Sequence, residues 1–313
     1  LMAASADLVM LYLAIETTSI PLYVLSGFML ADNKSTESGF KYLLFGALAS
    51  TIMLYGFSLV FGFTGTTNIY QLADMLKVGN LSLTTALGVL ALILVGLGFK
   101  VSLVPFHFWA PDVYEGAPTP VSGFLSTASK AAGFAVLIRL FFVAFPDFAE
   151  SWTLVLAVLS AITMTVGNLL TLQQTNIKRL LAYSSIAHAG YTLIGVVAFS
   201  KVHPEWSQLG AASVIFYLAA YIATNLLAFG IVMAFSRVTG LEDIKDYAGL
   251  SRRSPVLGLM MLAAFLSLAG MPPFGGFVAK VFVFAAGVQA GYVWLVIVGI
   301  INSIIGVYYY LNV

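Results

Sequence analysis

Runs of apolar residues long enough to cross a membrane alternate with short polar stretches along the whole chain. A spanning helix needs about 20 mostly apolar residues. Nine such runs stand out: 7–30, 39–63, 82–110, 119–145, 151–173, 177–199, 208–236, 255–289 and 291–312. ADNKSTES, QQTNIKR and SKVHPEWSQ punctuate them, and the longest polar stretch, RVTGLEDIKDYAGLSRRSP, has room for a short surface helix. The pattern predicts an all-α polytopic membrane protein.

Composition agrees. The 313 residues are 60% hydrophobic and 9% charged, against about 25% charged in soluble domains. Such a chain cannot cover a water-facing surface. A net charge of +1 gives nucleic acid nothing to bind. The absence of cysteine excludes disulfides and cysteine-ligated iron–sulfur clusters in this chain. The three histidines have no metal-ligand spacing. The chain begins without methionine at LMAASADLVM and stops at YYYLNV within an apolar run, which reads as the middle of a longer membrane protein. Loops after odd-numbered runs hold Lys34, Lys178, Arg179, Arg237, Lys245, Arg252 and Arg253, whereas the others hold Lys77 and Lys201. The positive-inside rule places the first set in the cytoplasm.

Charges within the runs are the informative exceptions. Glu16, Lys41, Lys100, Lys130 and Lys280 fall inside apolar segments, where ionisable groups are rare and face a bundle interior or a water-filled path. Helical spacing sets Tyr12, Glu16, Ser19, Tyr23 and Ser26 on one stripe, and Gly123, Ser126, Thr127, Lys130 and Gly133 on another. Ser184, His188, Tyr191 and Gly195 form a third, and Tyr217, Tyr221 and Asn225 a fourth. Small and polar faces mark protein-packed sides of membrane helices, so these groups are expected to face one another.

Two runs carry helix-breaking residues. KVSLVPFHFWAP contains Pro105, and LSLAGMPPFGGFVAK contains Pro272, Pro273, Gly275 and Gly276. Both read as Ser-Leu followed by Pro-Phe, at Ser102, Leu103, Pro105, Phe106 and at Ser267, Leu268, Pro273, Phe274. Irregular backbone survives at membrane depth only where protein buries it or it lines a cavity. Paired broken helices point to the transport site of a repeated transporter. The expected organisation is a single membrane domain of two inverted five-helix repeats. Residues 1–145 form the first, its opening helix mostly missing and its break near 100–106; residues 146–313 form the second, with a break near 270–276. Two unit charges ~4 Å apart at an effective dielectric of ~20 interact by about 4 kcal/mol. Moving one charge can therefore decide whether a buried lysine holds its proton, and a row of such lysines reads as a proton relay.

Other charged residues are weighed singly. Lys41 lies near the start of its run, where it could snorkel as well as take part in the relay. Arg139 reads as interfacial or structural. His188 reads equally as a satisfied core histidine or as a relay member. His107 reads as packing at the break, Asp112 and Glu115 as holding loop geometry, and His203 and Glu205 as solvated loop residues.

The stretch FKVSLVPFHFWAPDVYEGAPTPVSGFLSTASKAAGFAVLIR closely resembles the antiporter-like membrane subunits of respiratory complex I, most of all the N-type. LYLAIETTSIPLYVL, NIKRLLAYSSIAHAGY, GMPPFGGFVAKVFVF and NSIIGVYYYL extend the resemblance over essentially the whole chain. It implies a fourteen-helix protein with two inverted repeats, truncated here at both ends. It implies that Glu16 pairs with Lys100, that Lys130 is the central relay lysine, that Lys280 leads to the exit and that Lys41 matches a further lysine of N-type subunits. The implied function is proton translocation within an NADH:quinone oxidoreductase, coupled to quinone reduction in other subunits. NADH, FMN, iron–sulfur clusters and quinone would belong to the complex and none to this chain. Partners would be neighbouring antiporter-like and small membrane subunits and the lipid bilayer. The location would be a bacterial plasma membrane, or a thylakoid or organelle inner membrane. A subunit of a multi-subunit cation/proton antiporter and a non-transporting scaffold are the alternatives.

Overall fold

The computed structural model describes residues 1–79, 81–199 and 207–313; Lys201, His203 and Glu205 lie outside them. The described residues form helices and no strand. In chain order the helices are α1 (Leu8–Ser26), α2 (Asn33–Thr64), α3 (Ile69–Val78), α4 (Leu83–Val101), α5 (Trp109–Gly116) and α6 (Thr119–Ala144). There follow α7 (Ala149–Thr171), α8 (Ile177–Ala198), α9 (Ser207–Thr239), α10 (Pro255–Ala269), α11 (Gly275–Gln289) and α12 (Val293–Leu311). Eight helices are long and apolar enough to cross a membrane singly. At 15 residues each, α10 and α11 rise only about 22 Å apiece at 1.5 Å per residue, so they cross as one broken span. That makes nine spans among the described residues, as the apolar pattern predicts.

Boundaries follow side-chain caps more closely than hydropathy. Asp7 accepts the Val9 N–H at 2.8 Å to start α1, and Asn176 accepts the Lys178 N–H at 2.9 Å to start α8. Asp32 accepts the Lys34 N–H at 3.0 Å, and α2 begins six residues before its apolar run does. Hydropathy reports where lipid begins, not where the helix begins, so Lys41 sits in the third turn of α2. Amphipathic α3, absent from the apolar pattern, lies between two spans under an Asn68 cap and buries Ile69, Leu72 and Leu76.

The helices wrap around α8, whose most apolar 18-residue stretch is 94% buried. Its smallest positions allow this: Ala187 meets Gly167 of α7, and Gly190 meets Met164. The polar termini sort by end. Lys34, Lys178 and Arg179 pair with Glu115 and Glu242 at one end, whereas Lys77 pairs with Asp147 at the other. This matches the division of basic loop residues seen in the sequence.

The two breaks share one backbone motif. α4 closes with Leu103 N–H donating to Gly98 O at 2.8 Å, and Ser102 takes a left-handed φ of 61°. α10 closes with Met271 N–H donating to Leu266 O at 2.9 Å, and Gly270 takes φ 80°. A cis proline follows three residues after each left-handed position, at Pro105 and Pro273. Ser102 thus corresponds to Gly270 and Leu103 to Met271. The Ser-Leu match expected with Ser267 and Leu268 is three residues out of register, because the turn aligns the copies and the side chains do not. Lys100 consequently precedes its break, while Lys280 follows its own.

Gly276 shows how tightly the second break closes. A Cβ there would lie 1.8 Å from Ser267 O, and its N–H donates to Ser267 Oγ at 3.2 Å. Gly276→Ala is expected to destabilise the protein by about 1–3 kcal/mol through overpacking. Gly88→Ala, at a helical position with nothing within 4 Å, serves as the control and is expected to leave stability unchanged or raise it by up to about 1 kcal/mol, since alanine is the better helix former. Thermal melting of the purified complex, with a blot for assembly, reads the difference.

Candidate functional site

Three lysines inside the bundle are solvated by hydroxyls and carbonyls instead of carboxylates. Lys100, at the last turn of α4, is 3% exposed and donates to Ser19 Oγ of α1 at 2.9 Å. Ser19 lies one turn beyond Glu16. The Glu16 carboxylate is bonded to Ser50 of α2, whose hydroxyl also meets Tyr12 at 3.3 Å. Glu16 and Lys100 therefore share a polar patch but form no ion pair. The expected pairing is indirect here, because Ser19 occupies the ammonium's hydrogen-bonding position.

Lys130 follows a π turn over Leu125–Ser129, anchored by Thr127 Oγ1 donating to Gly123 O at 2.7 Å. Its Nζ donates to Ser185 O at 2.8 Å and Ser185 Oγ at 2.6 Å. Tyr221 donates to the same Ser185 Oγ at 2.8 Å, and Asn225 Nδ2 donates to Tyr221 Oη at 3.0 Å. Gly133, one turn past Lys130, leaves space that Val101 and the Lys100 stem fill; a Cβ there would lie 2.6 Å from Val101 Cγ1 and 3.3 Å from Lys100 Cγ. The two lysines thus flank a single contact between α4 and α6.

His188 continues the row on α8. Its Nδ1 meets Tyr217 Oη at 2.7 Å and its Nε2 meets Tyr310 Oη at 3.2 Å, and Tyr310 bonds Ser184. Lys280 donates to Ala269 O, a carbonyl freed by the second break, at 2.9 Å and to Ser303 Oγ at 3.0 Å. Its ammonium lies 4.9 Å from the Tyr191 ring centre, and that ring packs against His188 at 5.8 Å. The Tyr221 ring, which shares Ser185 with Lys130, packs on His188 at 5.0 Å, and Tyr191 lies between His188 and Lys280, so Lys100, Lys130, His188 and Lys280 lie in one row with Glu16 beside its first member. The prolines and glycines of the breaks, Pro105, Pro272, Pro273, Gly275 and Gly276, shape the two turns and offer no titrating group.

Lys41 stands apart from this row. It pairs at 2.6 Å with both Glu37 and Asp112. Arg179 joins Asp112 at 2.7 Å and Glu115 at 3.0 Å, and Lys34 reaches Glu115 at 2.8 Å. Asp112 and Glu115 are thus more than loop residues: they tie α5 to α2 and α8 across one end of the bundle. Arg139 donates to Ala3 O at 2.6 Å and to Tyr70 at the other end, a structural contact. His107 is buried against Phe108 as break packing.

Several polar contributors escape a reading of the sequence. Ser185 adjoins Ser184, and only the packing around α8 shows that the two point to different partners. Trp109 Nε1 donates to the Phe99 carbonyl at 3.1 Å beside the Ser102 N–H, also at 3.1 Å, and Thr163 Oγ1 accepts the Val104 N–H at 3.1 Å. Lys178, counted among loop charges, is 5% exposed; it sits at the edge of an apolar run but on a helix buried on all sides.

The fold and site define a polytopic helical membrane protein with two broken helices and buried lysines. The family model described as "NADH:quinone oxidoreductase/Mrp antiporter, TM" matches residues 5–306, and the chain belongs to that family. It is 50% identical over its whole length to NADH-quinone oxidoreductase subunit N of Moorella thermoacetica and 47% identical to that of Heliobacterium modesticaldum. It spans 64% of the length of each of these relatives. Among solved structures it resembles a chain of respiratory complex I from Thermus thermophilus with bound aureothin, with TM-score 0.82 and 38% identity over all of this chain and 66% of that one. It also resembles a chain of the Mrp complex from Dietzia sp. DQ12-45-1b, with TM-score 0.86 and 27% identity over 98% of this chain and 56% of that one. With its spans and these bacterial relatives, it is an integral plasma-membrane protein.

The surface cluster generates a pH prediction. Burial pushes the Asp112 and Glu115 carboxyls up, but hydrogen bonds from Lys41 and Arg179 to Asp112, and from Lys34 and Arg179 to Glu115, hold both below the ordinary range. A depressed folded-state value gives stability that is complete above the unfolded value and is lost as pH falls through the folded one. Melting temperature should therefore fall on acidification below about pH 4, near the unperturbed carboxylate value. In Asp112→Asn that acid-side slope should be shallower. Melting curves of the detergent-solubilised complex between neutral and acid pH, at low salt, check this.

Proposed function

We propose that this chain is a proton-translocating membrane subunit of an NADH:quinone oxidoreductase, driven by redox chemistry in other subunits. One observation carries the reading: Lys130 is buried with serine and carbonyl partners and no carboxylate ion pair among the described residues. It is flanked by Lys100 and Lys280, which are held in the same way. An ammonium in hydrocarbon is expensive, and hydroxyl partners stabilise it less than a carboxylate would. Its protonation then answers to the charge of its neighbours. Glu16, Lys100, Lys130, His188 and Lys280 form the relay, and Lys41 belongs to the charged end that receives or orders it.

The division into two inverted repeats, 1–145 and 146–313, rests on the common turn at Ser102 and Gly270. NADH, FMN, iron–sulfur clusters and quinone would be held by other subunits, and neighbouring membrane subunits would flank this one in the plasma membrane. An Mrp-type cation/proton antiporter subunit is the second reading, favoured by the likeness to the Dietzia Mrp chain. The 50% identity to a subunit N favours the first.

Proton pumping in inverted membrane vesicles carrying Lys100→Met or Lys130→Met in the full-length subunit tests the reading. With assembly intact, pumping is expected to fall by about a hundredfold, the low end of what removal of a positioned acid–base group costs. Wild-type pumping and quinone reduction in both variants would make the lysines structural charges and leave the scaffold alternative standing.

A further inference from the structure

Asn168 of α7 and Asn302 of α12 form a buried polar lock outside the lysine row. Asn168 Nδ2 donates to Met164 O at 2.8 Å, to Tyr191 Oη of α8 at 3.2 Å and to Asn302 Oδ1 at 3.4 Å. Its Oδ1 accepts from Tyr309 Oη of α12 at 2.9 Å. Asn302 Nδ2 in turn donates to Thr165 Oγ1 of α7 at 3.1 Å and to Val298 O at 3.0 Å. Three helices are thus tied at one point. A buried amide costs free energy unless its hydrogen bonds are made, and here both oxygens and both nitrogens have partners.

Both ends of the lock lead to Lys280. Ser303, next to Asn302, accepts from Lys280 Nζ at 3.0 Å. Tyr191, whose hydroxyl Asn168 holds, turns its ring to the same ammonium, 4.9 Å from the ring centre. An aromatic face carries negative potential and attracts a cation within about 6 Å, most strongly where water is excluded. Tyr191 and Lys280 are both buried. The bond at Oη fixes where the ring axis points. His188 and Phe284, packed edge-on at 5.8 and 6.3 Å, fix the rotation about that axis. The break supplies the ammonium with the Ala269 carbonyl alone, and the asparagine pair braces its other two partners.

We propose that the Tyr191 face is a binding partner of the Lys280 ammonium during proton transfer, and that Asn168 and Asn302 are positioning residues that aim it. The face attracts the charged lysine and gives a neutral amine nothing comparable. It therefore favours the loaded state without the tight hold of a carboxylate. No bond forms or breaks at the ring. This assignment rests on the proton-translocating reading above and adds the groups that set how firmly Lys280 holds its proton.

The test replaces Tyr191, in the full-length subunit within the assembled complex, by phenylalanine and then by phenylalanines carrying one, two and three ring fluorines. Lys280→Met runs beside them. Phenylalanine keeps the face and loses the tie to Asn168. Each fluorine then drains charge from the face with little change of shape. Pumping in inverted vesicles is expected to fall in steps along the fluorine series, by about fivefold in all, the rate equivalent of one cation–π contact. Asn168→Leu should lower pumping as Tyr191→Phe does and add little to it in the double variant, because both remove the same bond. Asn168→Ser, a smaller change that also withdraws the amide from Tyr191, takes its place if Asn168→Leu does not assemble. Equal pumping across the fluorine series, with pumping lost in Lys280→Met, would overturn this assignment and leave the translocation reading intact. Wild-type pumping in Lys280→Met would overturn both. Additive losses from the Asn168 and Tyr191→Phe changes would overturn the positioning role of Asn168.

Discussion

Everything else in the bundle is arranged around the cost of keeping ammonium groups out of water. A buried charge is tolerated only with hydrogen-bonding partners, and each interior lysine has them from a different source. Ser19 serves Lys100, Ser185 serves Lys130, and Ser303 with the Ala269 carbonyl serves Lys280. These partners are neutral. A facing carboxylate would bind each ammonium more tightly, and a tightly bound charge is a poor carrier. The six-residue cluster of Lys34, Glu37, Lys41, Asp112, Glu115 and Arg179 makes the contrast: there the charges are matched, and the groups brace one end of the bundle.

The broken helices follow from the same need. An intact helix uses its carbonyls internally, so a helix that must solvate a cation at mid-depth has to release some. Both breaks do so through one turn, with a left-handed residue three positions before a proline. The released groups then find different partners. At the first break the Ser102 N–H and the Trp109 indole share the Phe99 carbonyl, and Lys100 is left to Ser19. At the second, Lys280 itself takes the Ala269 carbonyl. A shared backbone device therefore presents its lysine from opposite sides of the turn.

α8 joins the two halves of the row. It is nearly all buried, its small residues let α7 approach closely, and it presents Ser184, His188 and Tyr191 on one face with Ser185 turned to Lys130. Ser185 faces Lys130, His188 meets Tyr217 and Tyr310, and Tyr191 lies under Lys280. A rigid, fully packed helix holds such contacts in register better than a loop would.

The all-α membrane architecture, the nine spans, the two breaks and the interior position of Lys100, Lys130 and Lys280 were legible in the sequence. Each is a property of local composition: apolar length, proline, and charge where charge is expensive. Partners were not legible, because they come from residues far apart in the chain. Glu16 was expected to bind Lys100, and Ser19, on the same stripe one turn away, takes the place instead. Lys41 looked interior by hydropathy, yet Asp112, 71 residues on, draws it into the surface cluster. Lys178 looked like a loop charge and is buried because α8 has neighbours on every side. Hydropathy measures how a segment partitions into a bilayer, and only the packing of helices decides which polar atom faces which.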